Sequence, residues 1–374
     1  MWDSSAKEVL RMWQYFMPTK VYFGEKCIER GTEAFKSLGK RALILTGRRS
    51  SKENGSLDDV TRALSQIGIE WVLFDDVEEN PTFALVRNIL SEYQDGSFDF
   101  VIGLGGGSPM DTAKAIAVLL KNPALKVEDL YDASRYSEAL PICAIPTTAG
   151  TGSEVTQYSV LTDDAGFKRG FSHPVLTFPK IAFLDARYTL NLSEALTRST
   201  GLDALCHAVE GFLSRRATVL SDLYAKESIK LIAENLPRVL RNPNDLHARE
   251  NMLLASCLAG MVISQTSTTI AHALGYPLTT FKGIRHGEAT AAFLDVVVEQ
   301  ASIEVPDKVE FVRSVLGDVA KFLESVGLNV KVPINDEELM LWTSKAKNAP
   351  HLQWTRGNFT EELIRYLYER VKLH

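Results

Sequence analysis

One aspartate and three histidines in the second half of the chain have spacings that suit a metal site. Asp203 and His207 are four residues apart in a helical stretch, so their side chains share one helix face. His272 and His286 follow, separated by glycines and a proline that can turn the chain. One carboxylate and three imidazoles suit Fe²⁺ or Zn²⁺, whereas Ca²⁺ and Mg²⁺ require more oxygen ligands. The spacing alone is equally compatible with a hydrogen-bonded core cluster. The other histidines lie in predicted loops or near chain ends: His173, His247, His351 and His374.

A glycine-rich turn in the first half is typical of a phosphate site. Residues 100–104 predict a strand, and Gly105, Gly106 and Gly107 follow it. We expect the next helix to have Ser108 as its cap and Pro109 at its first position. Glycines let a ligand approach the backbone, and the free amides of a helix N-terminus favour phosphate. The pattern is not GxGxxG and follows the third predicted strand, so it indicates a dinucleotide site of another design, with a tight structural turn as the alternative.

A second polar loop follows the next predicted strand. Residues 145–156 offer hydroxyls and backbone amides but almost no charge. Such a loop can surround a pyrophosphate or a nicotinamide ribose without basic residues. A polar surface loop is the alternative.

The loop after the first long predicted strand is basic. A dehydrogenase that binds a ribose 2′-hydroxyl is expected to carry an acidic residue there, whereas this chain has Thr46-Gly-Arg-Arg-Ser-Ser-Lys52. A small residue followed by cations and hydroxyls can accommodate a 2′-phosphate. The loop therefore favours NADP(H) over NAD(H), and a solvated basic loop is the alternative.

These residues need two kinds of scaffold. Up to about residue 188, short apolar runs at 41–46, 71–74, 98–104, 142–146 and 181–184 alternate with helical patterns at 57–68, 82–94 and 109–121, which predicts a parallel α/β sheet. Beyond residue 190 the pattern is helical throughout: 193–214, 218–241, 246–265, 267–280, 287–302, 306–326, 335–347 and 359–372. We therefore predict an α/β dinucleotide-binding domain at 1–189 and an all-helical metal and substrate domain at 190–374.

Composition excludes several classes of protein. The 374 residues are 45% hydrophobic and 24% charged, as in ordinary globular proteins. A net charge of −6 argues against a nucleic-acid partner, and no apolar run reaches the length of a membrane helix. The four cysteines form no CxxC pair, and residues 1–8 do not resemble a signal peptide. We expect reduced thiols, a cytoplasmic location and a small-molecule partner.

The chain resembles the iron-containing, group III alcohol dehydrogenases over essentially its whole length. The matching motifs are Gly105-Gly-Gly-Ser-Pro-Met-Asp111, Ile145-Pro-Thr-Thr-Ala-Gly-Thr151 with Glu154-Val-Thr156, Thr200-Gly-Leu-Asp-Ala-Leu-Cys-His-Ala-Val-Glu-Gly211, and Pro277-Leu leading to His286-Gly287. Several specific motifs in the same order make coincidence improbable.

The resemblance implies a Rossmann-like domain followed by a helical domain, in a dehydroquinate synthase-like architecture with metal and nicotinamide in the cleft between them. It implies that the metal ligands are Asp203, His207, His272 and His286. The implied cofactor residues, together with those of the basic loop, are Gly47, Arg48, Ser50, Asn80, Gly105, Gly106, Gly107, Ser108, Asp111, Thr147, Thr148, Thr151, Thr156 and Lys168. Gly47 stands where NAD-preferring members carry an acidic residue, and a homodimer is typical of the family.

One position departs from the family pattern. Many relatives have a further histidine four residues after the third ligand, with a proton-relay or substrate-contact role, but this chain has Tyr276. A phenol is a poor base at neutral pH, so the relay is in doubt, and Tyr276 is instead a candidate substrate contact.

The resulting hypothesis is reversible hydride transfer between a primary alcohol or aldehyde and NADP(H). Bound metal, with Fe²⁺ expected and Zn²⁺ as the alternative, would lower the alcohol's pKa and favour hydride transfer to the nicotinamide. Other hypotheses are a zinc-dependent glycerol or polyol dehydrogenase, a dehydroquinate synthase-like lyase, and a nucleotide sensor without turnover. The lyase would need an anion-binding cluster, and the helical half offers only Lys282 and Arg285 near the ligands.

Overall fold

The first half of the chain forms a six-stranded parallel sheet in the computed structural model, which describes residues 12–373. Residues 1–8, on which the signal-peptide expectation rests, and His374 lie outside the described residues. The sheet order is β1-β8-β5-β4-β2-β3, and β6 and β7 form a separate antiparallel hairpin. The strands are β1 (Lys20–Phe23), β2 (Arg41–Thr46), β3 (Glu70–Phe74), β4 (Phe100–Gly105), β5 (Ile142–Pro146), β6 (Tyr158–Thr162), β7 (Lys168–Ser172) and β8 (Ile181–Leu184).

Burial explains why the central strands are continuous apolar runs. Every residue of β4 and β5 is buried, since layers of side chains cover both faces of the sheet. The chain runs outward from β2 to β3 and then returns to β4 on the other side of β2. This change of direction opens a crevice at the carboxyl ends of β2 and β4, where open α/β sheets bind their ligands.

The second half is helical. One core joins α6, α7 and α8 to α10–α13, and a second core joins α9, α14 and α15. The helices of the whole chain are α1 (Cys27–Arg30), α2 (Ser50–Glu53), α3 (Ser56–Gln66), α4 (Phe83–Tyr93), α5 (Gly107–Lys121), α6 (Glu194–Leu213), α7 (Val219–Arg241), α8 (Leu246–Thr266), α9 (Ile270–Lys282), α10 (His286–Ala291), α11 (Leu294–Ala301), α12 (Pro306–Leu316), α13 (Val319–Ser325), α14 (Asp336–Lys347) and α15 (Glu361–Arg370).

The predicted fold class, an α/β half followed by a helical half, is confirmed, but several elements differ. The strand β1 at the sheet edge and the β6–β7 hairpin were not among the predicted elements. The single helix predicted at 306–326 is two helices, because Gly317 adopts a positive φ of 70° and Asp318 caps the new helix at Lys321 N. The segment 287–302 is also divided, into α10 and α11.

The four cysteines, Cys27, Cys143, Cys206 and Cys257, are all free and buried. Within residues 12–373, no single helix is both long enough and apolar enough to cross a membrane. Within the same residues, only α8 and α9 taken together combine the required length with the required apolar composition, and the two helices are bent by 112°.

Candidate metal centre and nucleotide cleft

Three helices bring the predicted ligands together. Asp203 and His207 lie one turn apart on α6, His272 lies in the first turn of α9, and His286 begins α10. Asp203, His207 and His272 are between 2% and 6% exposed. Close packing of α10 on α6 depends on Gly287, because a Cβ there would lie 1.8 Å from the Ser199 carbonyl oxygen.

Ligand atoms of Asp203, His207 and His272 all lie within 4.8 Å of one another, as a shared metal ion requires, whereas His286 lies outside this group of three. Asp203 Oδ1 lies 3.7 Å from the Nε2 atoms of His207, His272 and His286 alike. Four ligands placed tetrahedrally at 2.0–2.2 Å from a transition metal lie about 3.4 Å apart. Asp203 Oδ1 and His272 Nε2 are buried without a hydrogen-bond partner, which is expensive unless a further group satisfies them.

Electrostatics in the cluster also favour a cation. Burial opposes ionisation of Asp203, but the neighbouring imidazoles hold its pKa well below the usual range. Burial lowers the pKa of His207, so this imidazole is neutral at neutral pH. Burial also disfavours the charged form of His272, yet the carboxylates of Glu210 and Asp203 outweigh it and raise the pKa to about 10. The cluster therefore attracts positive charge, and its donor set suits a divalent transition metal.

Two of the imidazoles are also held at their second ring nitrogen. His207 Nδ1 lies 3.3 Å from the Gly150 carbonyl oxygen, in the polar loop after β5. His272 Nδ1 is hydrogen-bonded to Glu210 Oε2. The sequence analysis assigned no role to Glu210, although its offset of three residues from His207 puts both side chains on one face of α6.

Tyr276 packs against the cluster, and His351, which was not predicted to be a site residue, packs against Tyr276. Its ring stacks on His286, with centroids 5.8 Å apart and an interplanar angle of 8°. The ring of His351 is 5.9 Å from Tyr276, and His351 Nδ1 is buried without a partner. Burial lowers the pKa of His351 to about 4 and raises that of Tyr276, so both are neutral at neutral pH. His351 was placed in a loop, and its distance along the chain from the ligands gave no signal of this contact.

The glycine turn lies at the carboxyl end of the central strand, as predicted, but its helix starts earlier. Gly106 is the N-cap and α5 begins at Gly107, so Ser108 is not the cap and Pro109 is the third helical residue. Ser108 Oγ instead accepts a hydrogen bond from Asn80 N at 3.2 Å. Gly105 has a φ of 147°, and a Cβ there would lie 2.7 Å from Pro109 Cγ. The tight turn into α5 thus accounts for the glycine at position 105.

The polar loop after β5 packs directly on the glycine turn. A Cβ on Gly106 would lie 3.4 Å from Thr148 Cγ2, and one on Gly107 would lie 3.0 Å from Thr151 Cγ2. Thr147 N donates to the Gly105 carbonyl oxygen at 2.8 Å. The two loops therefore form adjoining walls at the edge of the sheet, and larger residues at 106 or 107 would crowd the opposite wall.

Asp111 and Thr156 belong to a buried network below these loops. Asp111 accepts hydrogen bonds from Ser153 Oγ at 2.7 Å and Val160 N at 2.9 Å, so it anchors the β6–β7 hairpin. Lys114 is fully buried and donates to Ser153 Oγ, to the Tyr158 carbonyl oxygen and, at 3.4 Å, to Thr156 Oγ1. Both oxygens of Asp111 are thus engaged in holding the scaffold together.

Lys168 faces the cleft from the start of β7. Burial lowers its pKa, and Asp203, Glu79 and Asp111 are the carboxylates that favour its charge. Among residues 12–373 it makes no ion pair within 4 Å, so its ammonium group is available near the metal cluster. The neighbouring Phe167 packs edge-on against Phe281 of α9, with centroids 6.0 Å apart, which joins the hairpin to the helical half.

The basic loop after β2 differs from the expectation of free cations. Arg48 pairs with Asp76, and Lys52 pairs with Asp75, both from the end of the neighbouring strand β3. Arg48 and Asp76 are 77% and 51% exposed. Ser50 begins α2, and a Cβ on Gly47 would meet the Val77 carbonyl oxygen at 3.4 Å, which is ordinary contact. The sequence analysis did not consider these acidic partners.

Comparison with known proteins establishes the family. The model described as iron-containing alcohol dehydrogenase matches residues 18–186, and that of the C-terminal part of the Fe-containing alcohol dehydrogenase family matches residues 197–331. The chain therefore belongs to the iron-containing alcohol dehydrogenases, and its architecture is the dehydroquinate synthase-like one expected from the sequence.

Individual relatives agree with this assignment. The chain is 34% identical to 1,3-propanediol dehydrogenase of Klebsiella pneumoniae, over 82% of this chain and 80% of that protein. It is 31% identical to NADPH-dependent butanol dehydrogenase of Clostridium saccharobutylicum, over 87% and 84% of the two chains. The crystal structure of an iron-containing alcohol dehydrogenase from Thermotoga maritima is 53% identical, with a TM-score of 0.93 over 96% of this chain and 99% of that one.

Proposed function

We propose that this alcohol dehydrogenase uses Fe²⁺ and NADP(H) to interconvert primary alcohols and aldehydes. The observation that carries the proposal is Asp203 Oδ1, buried without a hydrogen-bond partner and 3.7 Å from three imidazole nitrogens. A hydrogen-bonded core cluster would not leave this oxygen unsatisfied, whereas a divalent ion held by Asp203, His207, His272 and His286 satisfies it.

The metal and the chain have separate tasks in this proposal. When bound, the metal supplies Lewis-acid polarisation of the alcohol or aldehyde oxygen. The ligand side chains, nearly all buried, hold their geometry and exclude water from the reacting centre. Tyr276, stacked on His286, lines the adjoining space as a substrate contact rather than a base, because burial raises its pKa further above neutrality. Lys168 supplies a positive charge on the cofactor side of the cleft.

The nucleotide preference rests on the loop after β2. Gly47 leaves space and no negative charge, and Arg48 and Lys52 are exposed cations whose ion pairs are weak enough for a phosphate to displace. The similarity to an NADPH-dependent butanol dehydrogenase supports the same preference. A small alcohol or aldehyde as partner, assembly as a homodimer and a cytoplasmic location belong to this proposal.

The decisive experiment compares metal-stripped protein with the same protein supplied with Fe²⁺, under anaerobic conditions. Oxidation of NADPH by butanal is expected only after iron is added, and turnover with NADH is expected to be much slower. Equal rates before and after addition of iron would refute the metal assignment. Equal rates with the two nucleotides would refute only the role of the loop at 46–52.

A further inference from the structure

Glu210 connects two of the helices that carry metal ligands. It lies seven residues after Asp203 and three after His207 on α6, and it is fully buried. Its Oε2 is hydrogen-bonded to His272 Nδ1. Its Oε1 accepts hydrogen bonds from Thr269 N at 3.0 Å and from Thr269 Oγ1 at 2.6 Å. One carboxylate therefore contacts both the start of α9 and the ligand in its first turn.

We propose that Glu210 is the positioning residue for the metal site, because it fixes the tautomer of His272. An ionised carboxylate only accepts hydrogen bonds, so the proton of the neutral imidazole must be on Nδ1. The lone pair is then on Nε2, the atom that lies 3.7 Å from Asp203 Oδ1 without a hydrogen-bond partner. This inference rests on the proposed function, since it assumes that the cluster holds a metal.

A purely structural role, as a cap of α9, is the competing explanation. The N-cap residue Thr269 makes no side-chain capping bond within its own helix, so Glu210 supplies a cap from α6. Ser267, two residues earlier, has a φ of 62°, which shows how sharply the chain turns there. A useful variant must therefore keep the cap while changing what faces His272.

Glu210→Gln keeps the cap of α9 and changes the group that faces His272. The amide oxygen can still accept from Thr269 N, but the NH₂ group then faces His272 Nδ1 and demands an acceptor. His272 must move its proton to Nε2, where it blocks metal binding. A flipped amide does not restore both contacts, because its NH₂ group would then oppose the Thr269 N–H, which cannot rotate away.

The experiment measures Zn²⁺ affinity of the metal-free full-length chain by competition with a chelator. Glu210→Gln is expected to weaken zinc binding by about 10- to 100-fold, the usual effect of removing a partner of a ligating histidine. The metal-free variant should still unfold in a cooperative transition, so that weaker zinc binding is distinguished from loss of folding. Co²⁺ in the variant should show a shifted d–d absorption band, and Glu210→Asp, which still only accepts, should recover part of the affinity.

Two control variants separate the explanations. Glu154→Gln alters another fully buried glutamate outside the cluster and should leave zinc affinity unchanged. Thr269→Ala removes one donor to Glu210 and should lower the melting temperature without a tenfold change in affinity. Unchanged zinc affinity in a folded Glu210→Gln variant would overturn the inference.

One measurement needs no variant. In the zinc-loaded wild-type protein with ¹⁵N-labelled histidine, His272 should carry its proton on Nδ1, and a proton on Nε2 would overturn the inference even if Glu210→Gln fails to fold. Failure of the wild-type chain to bind zinc, cobalt or iron at the cluster would instead refute the proposed function, and with it the role assigned to Glu210.

Discussion

The metal cluster, on α6, α9 and α10, and the basic loop, between β2 and α2, are built on opposite principles. At the metal end, buried groups converge on one unpartnered oxygen of Asp203. At the loop, Arg48 and Lys52 are exposed and already paired with Asp76 and Asp75. A buried unsatisfied oxygen on which three imidazoles converge is evidence for a ligand, because leaving the oxygen unpaired is costly. Exposed ion pairs are weak evidence, because each contributes little and exchanges readily.

Asp203→Asn should have the largest effect, since it removes the charge on which the metal end depends. The Lewis-acid contribution of a metal is several kcal/mol, so turnover should fall on the order of a thousandfold, with the bound metal lost. Metal content and butanal reduction measured on the same sample check both. A variant that retained full metal content and activity would show that the cluster is an ordinary polar core.

Glu154→Gln tests a buried carboxyl group for which burial outweighs the nearby charge of Lys114, in contrast to Asp203. Burial raises the pKa of Glu154 from 4.5 to about 7, so the folded chain keeps a proton that the unfolded chain loses between these pH values. The unfolded state then binds fewer protons, and the wild-type free energy of unfolding should fall by about 3 kcal/mol as pH rises through this window. The glutamine variant cannot ionise and should lack that decline. Urea denaturation at pH 5 and pH 8 compares the two, and parallel pH profiles would contradict the expectation.

Gly47→Asp should change the nucleotide preference of the enzyme, set by the loop after β2, from NADP(H) to NAD(H). The site has space for the side chain, and a carboxylate beside the 2′-phosphate repels it. Like charges placed together at an interface cost up to several kcal/mol, so kcat/KM for NADPH should fall by about 10- to 100-fold while that for NADH is maintained. Gly47→Ala is the matched control and should leave the ratio nearly unchanged. An unaltered ratio in Gly47→Asp would place the 2′-phosphate elsewhere.

Asp76→Asn should give the smallest effect, and it should improve NADPH binding rather than weaken it. It frees Arg48 from its partner, so the KM for NADPH should fall by a few-fold at most, the scale of one exposed ion pair. The KM for NADH should not change, and added salt should abolish the difference. A raised KM for NADPH would mean that Asp76 itself orients Arg48 toward the nucleotide.

Local spacing allowed much of the site to be predicted. The interval of four between Asp203 and His207 fixes a shared helix face. The inner strands β2, β4, β5 and β8 are apolar runs because layers of side chains cover both faces of the sheet there. Helix boundaries were less accurate, because α5 begins at Gly107 without a side-chain cap and residues 108 and 109 offered a stronger capping signal. The β6–β7 hairpin was missed although its turn, Asp163-Asp-Ala-Gly166, is rich in turn-forming residues.

Contacts between distant segments could not be predicted from spacing. His351 reaches Tyr276 from a short 3-10 helix at Pro350–Trp354, and only the packing of the helical half brings them together. The acids at 75 and 76 face the basic loop because β2 and β3 are neighbours in register, which a composition argument about residues 46–52 does not take into account. Tertiary pairing therefore changed the interpretation of the charged loop, whereas three of the four residues that the resemblance implied as metal ligands, Asp203, His207 and His272, lie within 4.8 Å of one another.

The buried cysteines have a consequence for the durability of the enzyme in air. Thiols react with oxidants as thiolates, and burial raises the pKa of every cysteine here, to about 12 for Cys27. With no accessible thiolate to oxidise, an iron-loaded preparation exposed to oxygen would lose activity through its metal. Reloading ferrous ion under reducing conditions should then restore activity, whereas thiol reductants alone should not.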